Sequence, residues 1–251
     1  MLKKLVLALG ATALLAAPLF AQTADELIEK NIKAHGGDKM KAMKSVRLTG
    51  TMKMGPIEAP FTVSMARPAN VRMEFTVQGM TGTQAYDGTT GWAVMPFMGK
   101  KDAEKMAGDE LDAIKEEADF DGPMVDYKAK GNKVESLGKV DVEGTPAYKL
   151  KVTLKNGNEQ TVYLDADNYL EIKTEGKHKV QGQEMEGDTV IGNYKEVDGV
   201  LFATQIENHI KGREGAQTFT ISKIEVNPTI DPATFAMPAA PKAEEAPAKK
   251  Q

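Results

Sequence analysis

Between Phe61 and Met98 the chain alternates apolar and polar side chains with a regularity that few architectures can use. Phe61, Val63 and Met65, then Val71, Met73, Phe75 and Val77, share one parity, while Thr62, Ser64, Arg72, Glu74, Thr76 and Gln78 share the other. A helix would scatter these residues around its axis. A strand sends alternate side chains to opposite faces, so the pattern demands strands with one buried and one wet face. An Arg67-Pro68 corner and an Asp87-Gly88 turn break the run, and Gly79, Gly82 and Gly88 punctuate it. What the apolar face meets is the functional question: a closed core, or a cavity that holds something apolar.

The same grammar extends along the chain. Thr23-Ala24-Asp25-Glu26 offers a polar cap and early acids to a helix whose apolar face is Leu27, Ile28 and Ile32. Gly36-Gly37 supplies its left-handed stop, and a second short helical piece spans Asp38 to Lys44. Val46 to Met54 reads as a strand with Leu48, Met52 and Met54 on one side, followed by a Gly55-Pro56 turn. From Lys101 to Phe120 the period changes, with Met106, Leu111, Ile114 and Ala118 at helical spacing among charged residues. Gly108 lowers the stability of such a helix by ~1 kcal/mol relative to Ala, which predicts two short helices or one mobile one. An amphipathic insertion of this kind suits a cover over an apolar face, either as a permanent cap or as a lid.

Strands resume at Val134. Tyr148, Leu150, Val152 and Leu154 alternate with Lys149, Lys151 and Thr153, and Asn156-Gly157 is a hairpin signal. Further strands follow over 161–164, 169–174, 188–195, 201–210 and 217–226, with turns at Asp165-Ala166-Asp167-Asn168 and Asp198-Gly199. The expected class is α+β, dominated by one large antiparallel sheet.

Composition narrows the function. A net charge of −4 over 251 residues gives no clustered basic face for a nucleic acid. The absence of cysteine removes disulfides, thiolate metal sites and a thiol nucleophile. No nucleophile elbow, zinc-protease motif, phosphate loop or dinucleotide fingerprint occurs. His35, His178 and His209 are isolated from one another, so no metal site and no cofactor are expected. Asp165 and Asp167 lie where turns favour Asp for backbone reasons. Taken alone, Trp92 reads as a core anchor. The 14 methionines suit either core filling or a surface that adapts to varied ligands. Binding is favoured over catalysis.

Residues 1–21 read as a secretory signal peptide: Lys3 and Lys4 precede an apolar run to Phe20, and Leu19-Phe20-Ala21 fits a small-residue exit. The run is short for a membrane span. The mature domain is expected over 22–238, exported and soluble, and the Pro-, Ala- and charge-rich 239–251 reads as a disordered tail.

Several short motifs, in order, resemble the periplasmic outer-membrane lipoprotein carriers with the LolA/LolB-like fold. They are the helix after the signal peptide with its Ala34-His35-Gly36-Gly37 end, Ala66-Arg67-Pro68-Ala69-Asn70, Tyr86-Asp87-Gly88-Thr89-Thr90-Gly91-Trp92, Pro96-Phe97, and Ile230-Asp231-Pro232-Ala233-Thr234-Phe235. The resemblance implies an unclosed half β-barrel of about eleven strands whose concave apolar face is covered by helices. It implies a monomeric periplasmic carrier of acylated lipoproteins or lipids, served by an inner-membrane release complex and an outer-membrane receptor. An envelope-stress sensor or scaffold of the same fold, binding acyl chains or a protein partner, is the alternative. On this reading the cavity is lined by Met52, Met54, Phe61, Val63, Met65, Met73, Phe75, Trp92, Val94 and Phe97. Met106, Leu111 and Ile114 form the lid. Arg67 latches it through the lid backbone, or else forms an ordinary strand-end ion pair. Aromatic residues make up only 6% of the chain, so Met takes the place of rings in such a lining.

Overall fold

The structure, a computed structural model, describes residues 22–180 and 183–239. The expected signal peptide and all but the first residue of the expected tail lie outside that range. One antiparallel sheet organises the molecule. The first meander is β1 (Ser45–Met54), β2 (Ile57–Ala66), β3 (Asn70–Val77), β4 (Met80–Tyr86), β5 (Gly91–Met95) and β6 (Lys100–Lys105). The second is β7 (Lys133–Val142), β8 (Thr145–Thr153), β9 (Glu159–Asp165), β10 (Glu171–Val180), β11 (Gln183–Val197), β12 (Val200–Ile210) and β13 (Ala216–Val226). The two join where β13 pairs with β1, giving the order β6-β5-β4-β3-β2-β1-β13-β12-β11-β10-β9-β8-β7. β6 and β7 are its two edges, so the sheet is an open half-barrel of thirteen strands.

Most turns follow the local chemistry. Gly157 and the Asp198-Gly199 pair take the positive φ that tight hairpins need. Asp165 Oδ1 accepts from the amides of Asp167 and Asn168, and Asp87 Oδ1 from those of Thr89 and Thr90. These aspartates serve backbone turns rather than acid–base chemistry.

The strand count exceeds the expected eleven or so, and β6 shows one reason. Its sequence, KKDAEK, is charged throughout and carries no apolar alternation. It pairs only with β5, at the sheet edge, where charged side chains stay in water and deter further pairing. The helix predicted from Lys101 therefore starts later. It is α3 (Gly108–Glu117), a single helix that Gly108 begins rather than interrupts. Ahead of the sheet lie α1 (Ala24–Ala34) and α2 (Asp38–Ala42). Thr23 and Glu26 close a reciprocal capping box on α1, at the polar cap expected there.

Strand register builds one apolar concave face. Leu48, Val63 and Met73 lie side by side across β1, β2 and β3, as do Phe61 and Phe75. Beyond the seam, Met52 is level with Phe219, and Phe219 with Ile206. Three apolar clusters sit on this surface. Leu27 and Ile28 of α1, with Met124, pack over Val134, Leu150, Val152, Val162 and Leu164. Ile114 of α3 and the following Ala118 pack over Val71 and Tyr86, with Met65, Met106 and Leu111 against them. Between the two, Met52, Ala59, Phe61 and Ile221 form a cluster to which no helix contributes.

Candidate functional site

That middle cluster borders a cavity of about 600 Å³. One wall is Leu48, Met52, Met54, Ile57, Phe61 and Val63 from β1 and β2; Met73, Phe75 and Val77 of β3 continue it. The opposite wall is Ile206, Phe219 and Ile221, from β12 and β13. Phe97, in the short turn after β5, tilts against Phe75 with ring centres 5.5 Å apart. Gln84, Asn208, Gln217 and Glu117 are the polar members of the lining. An open apolar hollow bounded by flexible thioethers and rings suits a ligand that is itself apolar and conformationally varied. A depression of about 720 Å³ on the opposite face of β8–β12 differs in kind. Its walls are charged and carry ion pairs, Lys151–Glu159 and Lys211–Glu186 both at 2.7 Å, and His209 stands 3.1 Å from Asp188.

α3 forms one shoulder of the apolar cavity. Its inward residues Leu111 and Ile114, with Met106 just before the helix, converge over Gly91 at the start of β5. A methyl group on Gly91 would stand 2.9 Å from Leu111, 3.0 Å from Ile114 and 3.3 Å from Met106. The three side chains expected on the lid therefore seat where the sheet is bare backbone. Ala107 gives the helix no side-chain cap, so its amino-terminal amides lack the support that α1 receives from Thr23.

Arg67 stands at the corner between β2 and β3 and gathers three segments. Its Nε donates to the Met43 carbonyl at 2.6 Å and its Nη2 to the Lys41 carbonyl at 3.3 Å, closing the end of α2. Both terminal nitrogens engage the Asp121 carboxylate beyond α3, Nη2 at 2.5 Å. Its guanidinium also lies 4.7 Å from the centre of the Phe120 ring. The family resemblance implies a bond to the lid backbone; here the segment after α3 is held through the Asp121 side chain, and the backbone bonds go to the end of α2. A fork of donors matched to a carboxylate is a geometry that lysine cannot reproduce.

The structure brings together seven of the ten residues expected to line the cavity: Met52, Met54, Phe61, Val63, Met73, Phe75 and Phe97. Met65 lies on the same face but under α3, packed with Val71 and Tyr86. Trp92 and Val94 are corrections. They pair with Ala85 and Thr83 and belong, with Arg72 and Glu74, to the convex face. Since Gly91 faces α3, strand alternation sends Trp92 the other way. There it is 1% exposed, and its Nε1 donates to the Phe235 carbonyl at 2.8 Å. Arg72 lies against the indole ring at 5.4 Å and donates to the Thr234 carbonyl at 3.1 Å. The closing Asp-Pro-Ala-Thr-Phe segment thus docks on the back of the sheet, with Phe235 buried.

Sequence reasoning missed the opposite wall. Phe219 and Ile221 alternate visibly in the last strand, but Ile224 is out of that period because the register shifts opposite Thr49 and Gly50, and nothing local says that these residues meet Met52 and Leu48. It also missed a partly buried polar link beneath α1. His35 Nε2 lies 2.6 Å from Glu171 and its Nδ1 3.0 Å from the Leu201 carbonyl. Asn31 donates to Glu171 at 3.1 Å, and Tyr194 donates to the Glu171 carbonyl at 2.8 Å. Gly36 permits this docking, since a methyl there would lie 2.4 Å from the Gly199 carbonyl oxygen.

Burial disfavours the His35 imidazolium, but the bond to Glu171 outweighs it and raises the pKa above 6.5. Burial likewise works against the Glu171 carboxylate, and His35 outweighs it, lowering that pKa below 4.5. The histidine's contribution is full below pH 6.5 and fades as pH rises through its raised value. The glutamate's is full above pH 4.5 and fades as pH falls through its lowered value. The stability difference between wild type and His35→Asn, read by denaturant titration across pH, is therefore expected to be largest between 4.5 and 6.5. A difference that does not vary with pH would show that the pair contributes no charge–charge stabilisation.

No family model matches the chain, and no curated protein matches it in sequence. Solved structures do match its fold. A LolA superfamily protein from Nitrosomonas europaea superposes with a TM-score of 0.60 at 14% identity, covering 86% of this chain and 98% of that one. A DUF1329 family protein from Desulfovibrio piger gives 0.59 at 13% identity, covering 85% and 97%. An outer membrane lipoprotein-sorting protein domain from Vibrio parahaemolyticus, so named as putative, gives 0.55 at 14%, covering 83% and 97%. The chain has the LolA-like fold over most of its length.

Proposed function

We propose that this chain is an exported periplasmic carrier, not an enzyme. On this reading it encloses the acyl chains of a lipoprotein or lipid in its apolar cavity and moves them toward the outer membrane. The observation that carries the reading is the gap in helical cover. α1 and α3 each seal one part of the concave face, and the apolar surface between them borders an open cavity of about 600 Å³. An acyl chain gains ~0.8 kcal/mol for each methylene taken out of water, so such a surface supplies a strong driving force. A carrier must also release its load. The uncapped α3 and the Arg67 clasp provide a cover whose closed, empty form competes with cargo.

Two measurements test this. Mass spectrometry of gently purified protein is expected to find bound lipid or acylated peptide, and an apolar fluorescent dye is expected to bind and be displaced by acyl ligands. A ligand-free protein that binds no dye overturns the reading. Arg67→Leu is expected to lower stability by about 1–3 kcal/mol, since it leaves the Asp121 carboxylate without its fork of donors. It is also expected to speed dye entry and exit several-fold. Wild-type exchange rates in a destabilised but folded variant would make Arg67 a structural residue only.

A further inference from the structure

The apolar cavity has one charged residue in its lining, Glu117, the last residue of α3. It does not close the cavity off. Glu117 and Gln84 also line a second hollow of about 400 Å³, between α3 and the strands β5 and β6 at one end of the sheet. The two spaces therefore meet at this pair of side chains. The second is mixed: Met95, Met98, Met106 and Ile114 line it together with the carboxylates of Glu104, Asp109, Glu110 and Glu117 and the ammonium groups of Lys100 and Lys105. Lys100 is already paired with Glu104 at 3.0 Å.

We infer that the cavity is selective for amphiphiles whose polar end carries a protonated amine: the chain lies against β1–β3, β12 and β13, and the ammonium sits at Glu117. The inference rests on the acyl-binding reading and adds the chemistry of the head group to it. Among the described residues the Glu117 carboxylate has no hydrogen-bond or ion-pair partner. Glu117 is exposed to water; the desolvating protein around it, with the neighbouring Glu116, pushes its pKa up. A carboxylate held in this way gains from a cation that brings no bulk water with it, and an ammonium with three donors fits. An anionic head would meet like charge at the same point and again in the hollow beyond.

The test uses the full mature chain and three probes of equal alkyl length, with amine, carboxylate and uncharged glyceryl heads, titrated below their aggregation concentrations at low salt. The amine is expected to bind about tenfold more tightly than the carboxylate, with the neutral probe between them. Glu117→Gln is expected to bring amine and carboxylate within about threefold of each other, and Glu117→Lys to reverse the order. Equal binding of amine and carboxylate by the wild type, or a preference untouched in both variants, overturns the inference but leaves acyl binding intact. Failure of all three probes removes the acyl-binding reading itself.

Discussion

Ile206→Glu is expected to weaken the binding of acyl probes on the order of a hundredfold while leaving the sheet folded. Ile206 lies on β12 in register with Phe219 and Ile191, and it lines the wall of the cavity that faces β1 and β2. It is only partly buried, because the cavity lies open in front of it, so a carboxylate there keeps access to water when the cavity is empty. An acyl chain entering would have to strip that water. Losing contact with three or four methylenes costs ~3 kcal/mol, which is on the order of a hundredfold in affinity. Ile206→Val removes a single methylene and is expected to cost less than about tenfold. Dye displacement on folded, monodisperse protein decides. Near-normal affinity in Ile206→Glu would place the ligand elsewhere and break the assignment of this cavity.

The largest loss of stability is expected on the other face of the sheet. Trp92→Ala empties a site where the indole is 1% exposed, and truncation of a buried aromatic of this size costs about 3–5 kcal/mol. For a chain of this length that corresponds to a fall of about 10 °C in Tm. The Phe235 carbonyl also loses the donor at 2.8 Å that ties the closing segment to β5, while the bond from Arg72 of β3 to the Thr234 carbonyl remains. Trp92→Phe retains most of the apolar contact and gives up the hydrogen bond, so about 1 kcal/mol is expected. Acyl affinity should stay near wild type in Trp92→Phe. A large loss of affinity there, with stability preserved, would return Trp92 to the cavity wall.

Trp92 also shows how far local pattern reaches. Read by itself it is a core anchor, which is what the fold makes of it; read as part of a motif it was assigned to the cavity. The parity that separates the two is in the sequence, since Gly91 and Trp92 are adjacent and must face opposite ways. Which face is concave is not. That was set when Leu111, Ile114 and Met106 settled onto Gly91. β6 was illegible for a different reason. An edge strand held by backbone bonds and solvated charges has no apolar alternation to display.

The alternating runs, the hairpin turns at Asn156-Gly157 and Asp198-Gly199, the capping box at Thr23 and the clustering of Met and Phe on one face of β1–β3 were all determined by sequence alone. Each depends on neighbours within a few residues, through strand parity, turn φ and helix-end bonding. The tertiary structure alone decided that β13 closes onto β1. That pairing sets Ile206, Phe219 and Ile221 opposite Met52 and Phe61, and the packing of α3 places Glu117, with Gln84, in the lining of both hollows. Alternation specifies which side of a strand is apolar. It carries no information about which distant strand will share that side, or how much of the shared surface the helices will leave uncovered.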